Sequence, residues 1–150
     1  MLLRQVAEHA GIFSRFAQCF TDHRDAEQIE HSVEELLAQR VYALALGYED
    51  LNDHDQLRAD PLLAALVGKI DPLGQTRRRK ADRGQALAGK STLNRLELTR
   101  QGATTAERYK KIEVKTEEIL EVRRCFVPRG PEYSLFFFDF SQMEMRVFAD

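Results

Sequence analysis

The chain has 150 residues, 43% hydrophobic and 31% charged, which is enough for one domain with a real core and unlike a disordered or fibrous polypeptide. No apolar run approaches the roughly 18 residues of a membrane span. Arg4 and Glu8 interrupt the start where a signal peptide would be apolar, and Cys19 and Cys125 match no metal spacing, so a cytoplasmic protein with reduced thiols and no membrane partner is expected.

The net charge of −2 conceals an asymmetry. Residues 1–74 carry 6 basic and 13 acidic side chains, residues 75–100 carry 8 and 2, and residues 101–150 carry 8 and 9. A compact basic block beside an acidic region points to a nucleic-acid contact.

Leu3, Val6, Ala10, Phe13, Phe16, Ala17 and Phe20 recur at helical spacing. This predicts two core-packed helices over residues 2–20, broken at Gly11. Residues 21–24 read as a polar connector. Ile29, Val33, Leu36, Leu37, Val41, Leu44 and Tyr48 then line one face of the longest predicted helix. Asp25 is its expected N-cap, with Gln28 in the capping-box position, and Gly47 its stop. Residues 43–46 are apolar nearly all round, so this end should be buried.

Residues 49–60 are dense in Asp, Asn and His. They fail as an EF-hand, because the sixth and twelfth positions from Asp50 are Asp55 and Pro61 rather than Gly and Glu. His23, His31 and His54, with their neighbouring aspartates, leave a metal cluster open beside the ordinary reading of caps and turns. Asp60-Pro61 opens a short helix whose inner face is Leu62, Leu63, Leu66 and Val67 and whose stop is Gly68. Residues 71–74 spell a turn.

Arg77, Arg78, Arg79, Lys80, Arg83 and Lys90 follow among polar and small residues with no apolar period. They form either a solvated arm or a phosphate-contacting arm, and guanidinium geometry favours contact. The absence of aromatic residues there argues against stacking on single strands. Residues 84–91, GQALAGKS, satisfy the P-loop formula, but the residues before them are basic and polar where a buried strand is required, so the match is read as coincidental. A helix is expected over 92–98, a break over 102–105 and a short basic helix or turn over 106–112. Ile119, Val122, Cys125, Phe126 and Val127 lean towards a strand, 128–131 towards a turn, 134–140 towards a buried strand, and 141–150 alternate at helical spacing. The expected fold class is α+β: a mainly α N-terminal region with a short strand segment at the C-terminus, in incomplete domains.

FTDHRD, IEHSVEELLAQRVY, LALGYEDLNDHDQLR, DPLLAALVGK, GQTRRRK, ALAGKSTLNRLEL and RYKKI occur in order over residues 1–112. These stretches resemble the N-terminal part of bacterial insertion-sequence transposases of the DDE type. The resemblance implies a ribonuclease-H-like core whose three carboxylates hold magnesium for DNA strand transfer, DNA as partner, and assembly with transposase-like subunits. In that family the first catalytic aspartate lies on a strand soon after RYKKI. That strand is not recognisable here, so no catalytic position is carried over, and an inactive DNA-binding protein truncated before its catalytic core is expected.

Residues 113–150 resemble something else. Asp139-Phe140-Ser141-Gln142-Met143-Glu144-Met145-Arg146 is similar to motif A of family A DNA polymerases. By that resemblance Asp139 is a magnesium ligand and Glu144 packs against the nucleotide sugar, and a polymerase fragment is the alternative function. The two resemblances meet near residues 112–115, which suggests a junction of two gene fragments.

Overall fold

In the computed structural model, which describes residues 2–97, 111–115, 135–139 and 144–148, the N-terminal stripe forms two helices, α1 (Leu2–Ala10) and α2 (Ile12–Ala17). Gly11 lies between them at φ 61°, a left-handed turn that suits a residue without Cβ. Phe13 and Phe16 are buried, and Phe13 meets Tyr42 edge-on with ring centroids 5.1 Å apart. α1 departs from expectation, because Ala7 is buried while Leu3 and Val6 are about half exposed. It packs mainly against α2, and its tie to the following structure is polar: Arg4 Nη1 donates to the Ala65 carbonyl at 2.7 Å.

The helical pattern ends at Ala17. Residues Phe20–Asp22 form β1, which pairs antiparallel with β2 (Ile112–Val114), Phe20 opposite Val114 and Asp22 opposite Ile112. The N–H of His23 donates to the Lys111 carbonyl at 2.7 Å and that of Lys115 to the Cys19 carbonyl at 2.8 Å, extending the ladder at both ends. The expected connector is therefore a strand, and Ile112, expected in a basic helix or turn, is a buried strand residue. A strand does follow RYKKI, carrying Glu113 and no aspartate. The segment expected to be a junction is built into the sheet of the N-terminal unit.

The long helix, α3, spans Val33–Ala45 and starts later than predicted. Ser32 Oγ accepts from the Glu35 N–H at 3.1 Å, and Glu35 Oε2 accepts from the Ser32 N–H at 3.0 Å. This reciprocal capping box satisfies two orphan donors at once. Asp25 caps only a 3-10 turn over Ala26–Gln28, and Ile29 after it is extended. The stop at Gly47 is as expected: at φ 92° it donates to the Leu44 carbonyl while Tyr48 donates to that of Ala43, a Schellman ending. The helix end is not buried as predicted, since Leu46 and Tyr48 face solvent beyond the last packed turn.

Asp50 caps the 3-10 turn Leu51–Asp53, and α4 (His54–Leu57) follows. Asp60 accepts from the N–H groups of Leu62 and Leu63 to start α5 (Pro61–Val67), which Gly68 ends at φ 96°. Leu63 and Ala64 are buried, whereas Leu62 is 80% exposed, one residue round from the inner face. α6 (Lys90–Glu97) buries Leu93 and Leu96.

Among the described residues, four polar side chains enter this core or its margin: His31, Gln39, Arg40 and His54. Arg40 pairs with Glu97 and donates to the carbonyls of Tyr48 and Glu49, joining α3, its exit and α6. Gln39 Nε2 donates to the Ala88 carbonyl at 2.8 Å, and Gln39 Oε1 accepts from the Ala88 N–H at 3.0 Å. The same Nε2 lies 3.0 Å from His54 Nδ1, which must accept, so His54 carries its proton on Nε2 and is neutral.

Separately, β3 (Leu135–Asp139) and β4 (Glu144–Phe148) form an antiparallel hairpin with Asp139 opposite Glu144. The strand expected over 134–140 is present over Leu135–Asp139, whereas Glu144–Phe148, within the helix expected over 141–150, is a strand. Glu144-Met145-Arg146-Val147 also alternates polar and apolar, and that period of two is the one expressed. The expectations for 102–105 and 119–131, with Cys125, lie outside the described residues. The architecture of the described residues is α+β and mostly helical.

Burial, and secondarily the charge of Arg40, lowers the pKa of His54 from 6.5 to about 4. The unfolded chain then binds the extra proton more tightly than the folded one, so stability is complete above pH 6.5 and is lost as pH falls towards 4. Urea unfolding at pH 7.5 and pH 5 should differ by about 2 kcal/mol from this group. His54→Leu, which removes the titrating ring, should flatten that part of the profile.

Candidate nucleic-acid interface

The basic block is an ordered loop closed at a glycine neck. The N–H of Gly84 donates to the Gly74 carbonyl at 3.2 Å, which brings the ends of residues 75–83 together. Gly74 has φ 64°, and a Cβ added there would lie 2.7–2.9 Å from the backbone of Gln85 and Ala86. Asp71 Oδ2 accepts from the Thr76 N–H at 2.6 Å and its hydroxyl at 2.8 Å; these bonds hold the Asp71 carboxyl below its usual pKa. A 3-10 turn over Lys80–Asp82 completes the loop. No apolar period marks this segment because main-chain and aspartate hydrogen bonds order it.

Arg77 faces inward. Its Nη2 pairs with Glu30 Oε2 at 2.9 Å, its Nη1 donates to His31 Nε2 at 2.6 Å, and its side chain is 15% exposed. Guanidinium only donates, so His31 accepts and is neutral. Burial first, then the charges of Lys69, Arg77 and Arg24, lowers the His31 pKa to about 3. Arg78 Nη1 donates to the Glu27 carbonyl at 2.6 Å. Arg79, Lys80 and Arg83 are exposed, with no side-chain partner among the described residues. Lys90 is occupied: its Nζ lies 3.3 Å from Asp55 and 3.1 Å from Asn52.

The loop borders a cleft of about 870 Å³ that sequence reasoning did not assemble. Arg77, Arg78 and Arg79 line it together with Arg24, Arg58, Arg95 and Lys111, which come from four other parts of the chain. Four carboxylates, Asp25, Glu30, Asp55 and Asp82, also line it, so among the described residues cations prevail by seven to four. Ser91, Thr92 and Arg95 present one face of α6 to the cleft while Leu93 and Leu96 point to the core. The helical spacing of Ser91 and Arg95 was the one available sequence signal; Arg24, Arg58 and Lys111 had none.

The P-loop reading fails on geometry as well as on context. The N–H of Leu87 donates to the Arg58 carbonyl, that of Ala88 to Gln39 and that of Lys90 to Asp55, three directions rather than one cradle. Magnesium, implied by both resemblances, does not fit the described residues either. Asp22 is gripped twice by Arg24, through Nε and Nη2, and its pKa is lowered: burial raises it, but the hydrogen bonds and charge of Arg24 outweigh that. Asp55 is bound to Lys90 and Asp60 to the start of α5. His23 meets Glu113, His31 meets Arg77 and His54 meets Gln39, so the three histidines have separate partners. Among the described residues no group of three metal-binding side chains converges. Asp139 and Glu144 are register partners at the ends of β3 and β4.

A family model described as transposase DDE domain group 1 matches residues 1–128. The match continues past residue 112 into the segment set beside the polymerases, and nothing in the comparisons supports the polymerase resemblance. No curated protein and no solved structure matches the chain.

Gly74→Ala should open the neck, since it forces both a left-handed backbone and a backbone clash. A loss of about 1–3 kcal/mol in urea unfolding is expected, with faster trypsin cleavage within residues 77–83. Unchanged stability and cleavage would show that the loop does not depend on this closure.

Proposed function

The chain belongs to the transposase DDE domain group 1 family, and from that premise we propose that residues 2–97 and 111–115 form the DNA-contacting unit of an insertion-sequence transposase. The observation that carries this reading is the cleft and its rim, where cations from separate elements collect beside three exposed ones, Arg79, Lys80 and Arg83, that have no side-chain partner among the described residues.

The division of labour follows from the partners. Arg77 positions the loop, because Glu30 and His31 hold its guanidinium inside. Arg78, Arg79, Lys80 and Arg83 keep their charges at the surface and meet backbone phosphates, releasing the counterions condensed on them. Lys90 serves the fold through Asp55. Such contacts fix position and register on the duplex and carry no base reading by themselves. The described residues supply no metal-held carboxylate site, so strand transfer is not assigned to them. The setting is the cytoplasm, with further transposase subunits as partners. No described helix is long and apolar enough to cross a membrane.

Binding to duplex DNA carrying the element's terminal repeats, measured over a salt series, tests the reading. With four phosphates neutralised, log affinity should fall with log salt at a slope of about −3 to −4. Replacing Arg79, Lys80 and Arg83 together by Gln should remove about 2.5 units of that slope. Undetectable or salt-independent binding removes the proposal.

A further inference from the structure

We propose that Arg58, with Ser91 and Thr92 in the first turn of α6, forms a seat for a single phosphate group. Arg58 is the last residue of the α4 region, and its carbonyl is fixed by the N–H of Leu87 at 3.1 Å. Its side chain lies against Gly89, where an added Cβ would sit 3.3 Å from Nη1 and 3.5 Å from Cδ. The guanidinium is thus held at the entrance of α6 and lines the cleft with Gly89, Ser91 and Thr92.

Arg58 differs from the other partly buried arginines in forming no hydrogen bond, although its charge acts on the nearby Asp55. Arg24 holds Asp22, Arg77 holds Glu30, and Arg40 holds Glu97. Among the described residues the Arg58 side chain has no hydrogen bond or ion pair within contact distance, and its Nε is buried without a hydrogen-bond partner. Asp55, the nearby carboxylate, is engaged twice by Lys90, through the backbone N–H at 3.2 Å and through Nζ at 3.3 Å. A partly buried guanidinium without an acceptor is completed by a tetrahedral oxyanion, whose oxygens its fork can take two at a time. The hydroxyls of Ser91 and Thr92, which line the cleft beside it, supply the remaining complement, while Asp55 already accepts from the first N–H of α6.

A phosphodiester of DNA and a free phosphate compound share this chemistry. Identifying the occupant as DNA rests on the function proposed above, whereas the seat rests on Arg58 itself. Two measurements separate them, each on the full chain as wild type, Arg58→Gln and Arg58→Lys. In the first, duplex DNA is titrated over a salt series. Arg58→Gln should weaken binding by on the order of tenfold to a hundredfold and reduce the steepness of the salt slope by about 0.9. Arg58→Lys should keep the slope and lose affinity, because it has the charge without the fork. In the second, inorganic phosphate is added without DNA. The Tm of the wild type should rise, as should that of the variant lacking Arg79, Lys80 and Arg83, while Arg58→Gln should not respond. Melting in phosphate-free buffer shows that each variant is folded.

DNA binding unchanged by Arg58→Gln, with no phosphate-induced rise in Tm, overturns the seat while leaving the DNA-contacting reading in place. No DNA binding, with a phosphate effect that depends on Arg58, upholds the seat for a free phosphate compound and removes the DNA reading. Failure of the wild type in both measurements removes both.

Discussion

Gln39 reads the backbone of Ala88 as a neighbouring strand would, donating to its carbonyl and accepting from its N–H. The contact lies at the centre of the core, with Gln39 1% exposed. It sets where the chain returns after the basic loop, because Ala88 can be nowhere else without leaving an amide and a peptide group buried and unpaired. Each such loss costs about 1–3 kcal/mol. Ala86 and Leu87 pack beside it, and Asp55 caps α6 immediately after it. The path from the loop to α6 is therefore fixed by polar contacts inside an otherwise apolar core, which favour one arrangement over many similar ones.

That constraint gives the basic loop its base. With residue 88 anchored and the neck closed between Gly74 and Gly84, the intervening cations can lie only along one margin of the acidic part of the chain. The strong charge asymmetry is resolved locally. Glu30 neutralises Arg77, Glu35 neutralises Lys69, and the Glu27 carbonyl steadies Arg78. His31 belongs to this arrangement as a neutral acceptor; as a cation it would oppose Arg77, Arg24 and Lys69 together. Attraction between the loop and its base leaves Arg79, Lys80 and Arg83 over as outward charge.

Much of the local structure was legible because capping and breaking act over four residues or fewer. Asp60-Pro61 and Gly68 marked α5, Gly11 split α1 from α2, and Gly47 ended α3. Where local signals competed, the wrong one was chosen. Asp25 and Gln28 imitated a cap, but Ser32 and Glu35 make the reciprocal bonds, so α3 starts there. Apolar residues were over-assigned to the core: Leu3, Val6, Leu46 and Leu62 are exposed, since a short helix with few neighbours buries only a narrow strip. β1 escaped notice because three residues are too few to display a period of two, and its partner lies some ninety residues away, as the bond from His23 to Glu113 records.

The sequence by itself determined the α+β class, the position of most helix ends, the compact block of positive charge and the family landmarks along residues 1–112. Only the tertiary structure decided what each charge does. Arg77 and His31 are 46 residues apart, Gln39 and Ala88 are 49 apart, and Arg24, Arg58, Arg95 and Lys111 share a cleft without sharing a motif. Local periodicity ranges over a few residues and says nothing about which distant group will satisfy a buried donor. Six cations in the basic stretch looked alike as letters. Burial made Arg77 an internal tie, Asp55 and Asn52 took up Lys90 at the surface, and the others face outward.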